Sequence, residues 1–243
     1  MFNIGKFTLK EMVECSGSLR KMGVGAKSLE QAADRIVRYL YDNFAERTTG
    51  EKEFLLVRFF KTHPFGELDG DLQQFARKLL RDTPEFPLMK CLTLLATAGV
   101  KPEWCSRKDS AGHKTIPLPS AYFIERFPMV RQLIQQLGLE VNTVLKPDPK
   151  VIVDLAQTTY NIFYIPEAVG SPYVSAQKEF VVPFGIRSVL GFGGILPSGD
   201  LFAIIMFCRI PISRETAELF KTLALSVKIA VIPFDGKTVF AEN

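Results

Sequence analysis

The chain has 243 residues, of which 47% are apolar, and 30 basic against 26 acidic side chains give it a net charge of +4. This length and apolar content suffice for a substantial buried core, whereas the small, dispersed positive charge argues against nucleic-acid binding. The sequence has neither a run of about 18 apolar residues, as a membrane span requires, nor an N-terminal signal peptide, so a cytoplasmic protein without membrane contact is expected. Its four cysteines are too few and too widely spaced for a disulfide framework, and free thiols are expected.

The first quarter of the chain predicts two helices and a strand. Residues 7–22 carry apolar side chains at helical spacing before a glycine-rich turn, which predicts a leader helix within residues 1–27. Such a helix cannot bury its face alone, so it either packs on the domain or pairs with a second copy. Ser28 opens a capping box before a second amphipathic helix. Residues 53–60 then predict a strand, in which Arg58 is interpreted as facing outward with its charge in water.

The next elements are a helix and a second strand. Residues 69–80 have apolar side chains on one helical side, and residues 88–99 form a β-rich run after two prolines. Cys91 lies in the middle of this strand. There we expect it to be a small core residue.

From Val100 to Ser120 the hydrophobic period is lost. This segment contains three prolines together with Trp104, Cys105 and His113. Irregular segments longer than about 12 to 15 residues inside a compact domain are usually functional or disordered, and the aromatic and apolar content here argues against disorder. The segment is therefore the best place to look for a site.

The chain then returns to regular structure. The predicted elements are a helix over residues 122–138, a short helix from Asp148, a strand over residues 160–165 and a short helix over residues 171–180. Residues from roughly 120 to 150 are interpreted as an insertion that builds a cavity wall or a partner surface.

The closing stretch predicts strand, turn, strand and helix. Residues 188–196 and 201–209 are apolar and β-rich, and the Pro and Gly between them are typical of a hairpin turn. Ser213 is a candidate N-cap for a long helix that reaches Ile232, with apolar residues at three- and four-residue spacing. The Gly191–Gly194 run is interpreted as close packing or a bulge in the first of these strands, and not as a nucleotide-binding loop.

The order Gly185-Ile186-Arg187-Ser188, hairpin and long Leu/Ala helix resembles the closing third of a GAF domain. This resemblance implies an α+β fold of GAF or PAS type, with a central antiparallel sheet flanked by helices. The helices that begin at Ser28 and Ser213 are expected on one face, and the ligand-side loops on the other. The GAF-like domain is expected over residues 28–233, with an extra segment at about residues 100–150 and a tail over residues 234–243.

The resemblance also implies a function. A GAF-like module is a signal-sensing domain that binds a small molecule and regulates a linked or partner effector, such as a histidine kinase of a two-component system or a cyclase. We expect a homodimer, and a pocket for a small, mostly apolar ligand beneath the Val100–Ser120 segment. The candidate wall residues, each of which is alternatively a plain core aromatic or a solvated side chain, are Trp104, His113, Tyr122, Phe163, Tyr164, Tyr173 and Phe184.

Two other functions stay open at this point. His113 could be the single axial ligand of a haem-binding sensor, although Cys105 and His113 by themselves do not make a metal site. A GAF-fold branch reduces free methionine sulfoxide, and Cys91, Cys105 and Cys208 are the candidate thiols for such an enzyme, with Cys105 in the irregular segment. The sequence has no Cys-His pair for bilin attachment and no catalytic motif of its own, which favours a binding module over an enzyme.

Overall fold

The computed structural model describes residues 1–110, 112–158 and 160–240, so the last three residues of the predicted tail lie outside the described residues. The strands are β1 (Phe54–Pro64), β2 (Lys90–Gly99), β3 (Thr115–Leu118), β4 (Tyr160–Ile165), β5 (Ser188–Ile195) and β6 (Leu201–Cys208). Within the described residues these six strands form one sheet in the order β3-β2-β1-β6-β5-β4. Every neighbouring pair is antiparallel.

Helices cover both faces of the sheet. Their bounds are α1 (Leu9–Arg20), α2 (Leu29–Asn43), α3 (Gly70–Leu80), α4 (Ala121–Ile124), α5 (Pro128–Gln136), α6 (Val141–Leu145), α7 (Pro149–Thr158), α8 (Val182–Phe184) and α9 (Arg214–Val231). A π-helical turn, Gln177–Val181, precedes α8, and short 3-10 turns occur at Ile4–Lys6, Phe65–Glu67, Pro102–Trp104 and Ile232–Phe234. Among the described residues, no helix combines the length and the apolar character that crossing a membrane requires.

The first face of the sheet packs against α2 and α9. As the sequence predicts, Ser28 and Ser213 cap these helices: their side chains accept hydrogen bonds from the backbone N–H of Gln31 and Thr216. Each helix buries a continuous apolar stripe in one cluster with the inward-facing side chains of β1, β5 and β6. Burial of this kind contributes about 25 cal/mol per Å² of apolar surface, so this layer supplies much of the stability of the fold.

Helix α1 packs on the same layer, against α9. The Ser16 and Ser226 hydroxyls lie 2.5 Å apart in a buried hydrogen bond between the two helices. After α1, Gly23 approaches α9 so closely that a Cβ placed there would lie 2.0 Å from the carbonyl oxygen of Ala230. Glycine is therefore required at this contact, and α1 is part of the folded layer in this structure.

The second face is covered by the region between β3 and β5. Val130, Leu133 and Ile134 of α5 pack with the second-face side chains of the sheet in a separate apolar cluster. Residues 120–150, interpreted from the sequence as an insertion, thus form part of the layer over this face. The α+β architecture predicted from the sequence, with α2 and α9 on one face of a central antiparallel sheet, is confirmed.

Two expectations for the middle of the chain are wrong. The Val100–Ser120 segment is not irregular throughout, because Thr115–Leu118 forms the edge strand β3 on β2. Pro117 is accommodated there because an edge strand has N–H positions that need no ladder partner. The helix predicted over residues 122–138 divides into α4 and α5 at Phe127, since Pro128 lacks the N–H that a continuous helix requires and instead starts α5.

The short helix predicted over residues 171–180 is also placed wrongly. Regular structure begins later, at Gln177, as a π-helical turn that continues into α8. The Gln177 side-chain amide donates to the backbone carbonyl oxygens of Ala168 and Val174, at 2.9 and 2.7 Å, and thereby fixes the preceding chain as a loop. A side chain that satisfies backbone acceptors in this way competes with helix formation.

The glycines of β5 permit close packing, as predicted. A Cβ at Gly191 would lie 2.6 Å from the carbonyl oxygen of Ile204, and one at Gly193 would lie 2.2 Å from that of Phe202. The run leads into the hairpin turn and not into the N-terminus of a helix. Its role is to bring β5 and β6 together.

Candidate functional site

Arg58 lies in the middle of the central strand β1 and points to the second face. Its neighbours in the chain, Val57 and Phe59, belong to the first-face core, and side chains alternate between faces along a strand. Directly across the sheet, Arg58 is paired with Thr97 of β2 and Ile205 of β6. The expectation that its charge lies in water is wrong, because the Nε atom is completely shielded from solvent.

The Arg58 guanidinium has neutral partners. Nη2 donates to the Ser110 hydroxyl at 3.2 Å, and Nη1 donates to the Gly112 carbonyl oxygen at 3.4 Å. Nε has no hydrogen-bond partner among the described residues. Burial lowers the pKa of Arg58 to about 10, so the group is still charged at neutral pH. A buried charge without an ionised partner is destabilising, and a guanidinium fork is best satisfied by a carboxylate or a phosphate.

An aromatic cluster adjoins Arg58 on the same face. The Trp104 ring lies 5.5 Å from that of Phe180 and 4.8 Å from that of Phe184, and Phe180 lies 4.9 Å from Phe207, measured between ring centroids. Lys101 Nζ lies 4.6 Å from the centroid of Phe184, a cation–π contact. The cluster packs against the second-face core of the sheet.

Two contacts place this aromatic cluster next to the guanidinium. Thr97, the residue directly opposite Arg58, donates its hydroxyl to the Trp104 carbonyl oxygen at 2.9 Å. Phe207 follows Ile205 by two positions in β6 and therefore shares its face. At the middle of the sheet, the second face thus combines the charged Arg58 guanidinium with the flat apolar surfaces of the aromatic rings.

The segment that holds Ser110 and Gly112 also contacts the first-face helix α2. Arg107 forms a two-point ion pair with Glu30 of α2, with N–O distances of 2.5 and 3.2 Å. Arg38 of α2 donates to the Cys105 carbonyl oxygen at 3.2 Å. Residues 101–114 therefore connect the environment of Arg58 to a helix on the opposite side of the sheet.

Three of the predicted wall residues lie together on this second face. Trp104 and Phe184 are in ring contact, and Phe163 is fully buried in the same apolar cluster. Phe163 lies against Gly191 of β5, where the missing side chain makes room for its ring. A role for these three residues in ligand binding remains a prediction.

Of the other four predicted wall residues, three lie away from Arg58, and His113 is its neighbour. Tyr164 donates its hydroxyl to the Ile212 carbonyl oxygen and, with Tyr173, lines a separate surface groove of about 280 Å³. Tyr122 is 87% exposed on α4. His113 has a left-handed backbone, with φ of 56°, and exposes part of its surface. Burial of its ring, followed by the charge of Arg58, lowers the pKa of His113. The structure does not bring these four side chains to one place.

The cysteines are free thiols, three of them buried. Burial raises the pKa of Cys15 and of Cys91 to about 12 and raises the pKa of Cys208 as well. Cys105 is half-buried, and its thiol donates to the carbonyl oxygens of Gly99 and Lys101 at 3.3 and 3.4 Å. Such bonds are made by the protonated thiol and not by the reactive thiolate.

The positions of His113 and Trp104 bear on the proposed haem ligand. His113 exposes part of its surface, whereas the ring contacts of Trp104 are to Phe180 and Phe184. Within the described residues, no group of three or more His, Cys, Asp and Glu side chains has the arrangement of a metal site.

The functional candidates that sequence reasoning missed are Arg58 and its partners Thr97 and Ser110. A signal was present: Arg58 is the charged residue inside the apolar run Phe54–Phe60. The side chain of an arginine in a central strand is buried if other elements cover the face to which it points, and a buried arginine needs a polar partner. The missing information was that α5 and the irregular segment close the second face.

Comparison with known proteins gives fold-level likenesses. No family model matches the chain, and no curated protein sequence matches it. A free methionine-R-sulfoxide reductase from Neisseria meningitidis is 11% identical, with a TM-score of 0.46, over 95% of this chain and 92% of that one. The phycoerythrobilin-bound GAF domain of a cyanobacterial phytochrome is also 11% identical, with a TM-score of 0.42, over 94% of this chain and 98% of that one.

A third likeness is to the chromophore-binding domain of a bacteriophytochrome from R. palustris. It is 11% identical, with a TM-score of 0.40, and the match covers 93% of this chain and 63% of that one. The chain therefore spans less than two thirds of that protein's solved length. At these values the likenesses carry no inference about ligand or activity.

Proposed function

We propose that the protein is a GAF-like sensory module that binds a small organic anion at Arg58. The observation that carries this proposal is the largely buried guanidinium, whose described partners are a hydroxyl and a carbonyl oxygen. In the proposed complex a carboxylate or phosphate takes the place of these two neutral oxygens. A charge-assisted, two-point bond is stronger than either neutral bond, so the exchange is favourable.

The surroundings define the rest of the ligand. Trp104 and Phe184 provide flat apolar surface beside Arg58, which suits an aromatic or other planar body. The ligand is therefore an anion with an apolar part, rather than the mostly apolar molecule expected from the sequence.

A route for the signal follows from the bonds of residues 101–114. Ser110 and Gly112 accept hydrogen bonds from the Arg58 guanidinium, and Arg107 of the same segment pairs with Glu30 of α2. A ligand anion that binds the Arg58 guanidinium replaces Ser110 and Gly112 as its hydrogen-bond partners. Residues 101–114 then shift against α2. In this proposal α2 and the helices packed with it pass the signal to an effector such as a histidine kinase or a cyclase, with the module acting as a homodimer.

The test uses benzoate as a planar anion and benzyl alcohol as its neutral analogue. We expect benzoate, and not benzyl alcohol, to shift the backbone amide resonances of Ser110 and Gly112 in a nuclear magnetic resonance titration. Arg58→Met should weaken benzoate binding at least about tenfold, because hydrogen bonds to charged groups contribute about 1.5 to 3 kcal/mol. Arg58→Lys keeps the charge and loses the two-point geometry of the guanidinium. Its affinity for benzoate should lie between those of the wild-type protein and Arg58→Met.

The control is Arg131→Met, which removes an exposed arginine that pairs with Glu125 on the surface. It should bind benzoate as the wild-type protein does. Equal shifts with both probes, or unchanged benzoate affinity in Arg58→Met, would contradict the proposal. Native mass spectrometry and an absorption spectrum of freshly purified protein would in addition reveal a co-purified ligand, including haem through its Soret band.

A further inference from the structure

A second groove lies at one end of the sheet, away from Arg58. Its volume is about 960 Å³. The groove lies between the end of β1 and the start of β2 on one side and residues 118–121 and 142–148, at α4 and α6, on the other. The lining is mainly apolar and includes Pro64, Phe86, Leu88, Lys90, Leu118 and Ala121.

A buried charge cluster forms part of its wall. Asp200, in the turn between β5 and β6, accepts from Lys61 Nζ through Oδ2 and from Lys90 Nζ through Oδ1, both at 2.6 Å. The side chain of Lys61 is 2% exposed, that of Asp200 9% and that of Lys90 13%. The Thr62 hydroxyl also donates to Asp200, at 3.2 Å, and the Ser198 hydroxyl donates at 3.1 Å.

The cluster carries one more positive than negative charge, since two ammonium groups share one carboxylate. Asp200 accepts from both ammonium groups, and its one negative charge offsets one of their two positive charges. Asp235, the next carboxylate, accepts from the backbone N–H and hydroxyl of Ser198. Its charge also acts on Lys228, whose pKa burial lowers and Asp235 acts to raise, so we count Asp235 with that third lysine. Among the groove-lining residues, Lys146 and Asp148 have opposite charges and leave this excess unchanged.

Lys90 is the member of the cluster that lines the groove. An ammonium group has three N–H donors, and the one hydrogen bond recorded for Lys90 among the described residues is to Asp200. Lys61, by contrast, is enclosed and also donates to the Thr62 carbonyl oxygen at 3.2 Å. Lys90 is therefore the charged member of the cluster that a ligand in the groove would meet, with 13% of its side-chain surface exposed.

We propose that this groove binds a small carboxylic acid with an apolar chain, its carboxylate on Lys90 and its chain along the apolar lining. A monoanion matches the single excess charge, and a partly desolvated ammonium binds a carboxylate more strongly than an exposed one does. The site is distinct from the one at Arg58. Pro64 lies six residues further along β1, which corresponds to about 20 Å of extended chain.

The experiment is calorimetric titration with octanoate and with 1-octanol, which share a chain and differ in charge. The wild-type protein is expected to bind octanoate at least about tenfold more tightly than 1-octanol. Lys90→Met should abolish this preference while 1-octanol binding stays within about twofold, since the Lys61–Asp200 pair remains and holds the wall together. Lys78→Met, at an exposed position of α3, is the matched control and should behave as the wild-type protein does.

Two further variants locate the binding. Ala121→Trp fills the groove from its exposed rim and should weaken both probes at least about tenfold. Arg58→Met should leave octanoate affinity unchanged, which separates this site from the proposed sensory site. Octanoate that binds no better than 1-octanol, a preference that survives in Lys90→Met, or binding that is unaffected by Ala121→Trp would overturn the proposal.

Discussion

His63 shows how a single buried side chain makes the stability of this protein depend on pH. It lies in β1 next to Lys61, is 1% exposed, and its Nε2 atom has no hydrogen-bond partner among the described residues. Burial, followed by the nearby charge of Lys61, lowers the pKa of His63 to about 3. Asp200 acts in the opposite direction and Lys90 in the same direction as Lys61, while the Phe240 ring packs 5.5 Å away.

The resulting prediction concerns the window between pH about 6.5 and about 3. The pKa of histidine in an unfolded chain is about 6.5, so in this window the unfolded state binds one proton that the folded state does not. The free energy of unfolding should therefore fall by about 1.4 kcal/mol for each pH unit on acidification. His63→Leu should remove this contribution, as measured by urea denaturation at pH 7, 6, 5 and 4. The same slope in both proteins would show that His63 is not the cause.

Arg58, Lys61 and Asp200 illustrate what sequence reasoning cannot reach at this scale. Lys61 and Asp200 are 139 positions apart, and their pairing depends on how β1 and the β5–β6 turn meet in three dimensions. No local pattern encodes such a contact. A lone charged residue in a buried strand does indicate a special environment, but the identity of its partner depends on the tertiary structure.

Among the elements, those with strong local signals were predicted well. Strand β4 matches residues 160–165, and α2, α3 and α9 begin directly after the caps Ser28, Asp69 and Ser213. Elements held by long-range pairing were not. Strand β3 has four residues and contains a proline, so its local signal is weak in spite of Thr115 and Ile116. It exists because β2 provides its hydrogen bonds.

The link between residues 101–114 and α2 gives an element-scale prediction. If the segment transmits binding at Arg58, benzoate should change the hydrogen–deuterium exchange of the α2 amides in the wild-type protein. Arg107→Met removes the ion pair to Glu30 and should weaken this change, although Arg38 of α2 still donates to the Cys105 carbonyl oxygen, while benzoate affinity stays within about threefold. The reason is that Arg107 contacts α2 through its side chain, whereas Arg58 holds Ser110 and Gly112.

Arg77→Met is the control for this experiment, because Arg77 pairs with Glu85 next to α3. It should leave the response of α2 intact. An undiminished response in Arg107→Met would mean that the signal does not reach α2 through the Arg107–Glu30 ion pair.

For the whole molecule, the outer surface of α9 indicates how two copies would associate. Leu225, Ile229 and Ile232 are 36%, 43% and 41% exposed, and their spacing places them along one line of the helix and its 3-10 extension. On the neighbouring α1, Leu9 and Val13 are 64% and 61% exposed, one helical turn apart. Apolar surface of this extent on adjacent helices favours the homodimer expected from the sequence.

We therefore predict a dimer whose interface contains α9. Light scattering coupled to gel filtration should give twice the mass of one chain at about 50 µM protein, and Ile229→Glu should give a monomer because it buries an unpaired charge at the contact. Val153→Glu introduces the same change at an exposed valine of α7, 60% exposed, and should remain dimeric. A wild-type monomer, or two variants with equal mass, would rule out this interface.

The contact at Gly23 has a consequence for the movement of this layer. With no room for even one carbon atom between the turn after α1 and the backbone of α9, and with Ser16 joined to Ser226, the two helices cannot slide independently. They form one rigid unit in the layer on the first face of the sheet. A displacement of α9 would therefore carry α1 with it, because the contact at Gly23 keeps the two helices at a fixed angle.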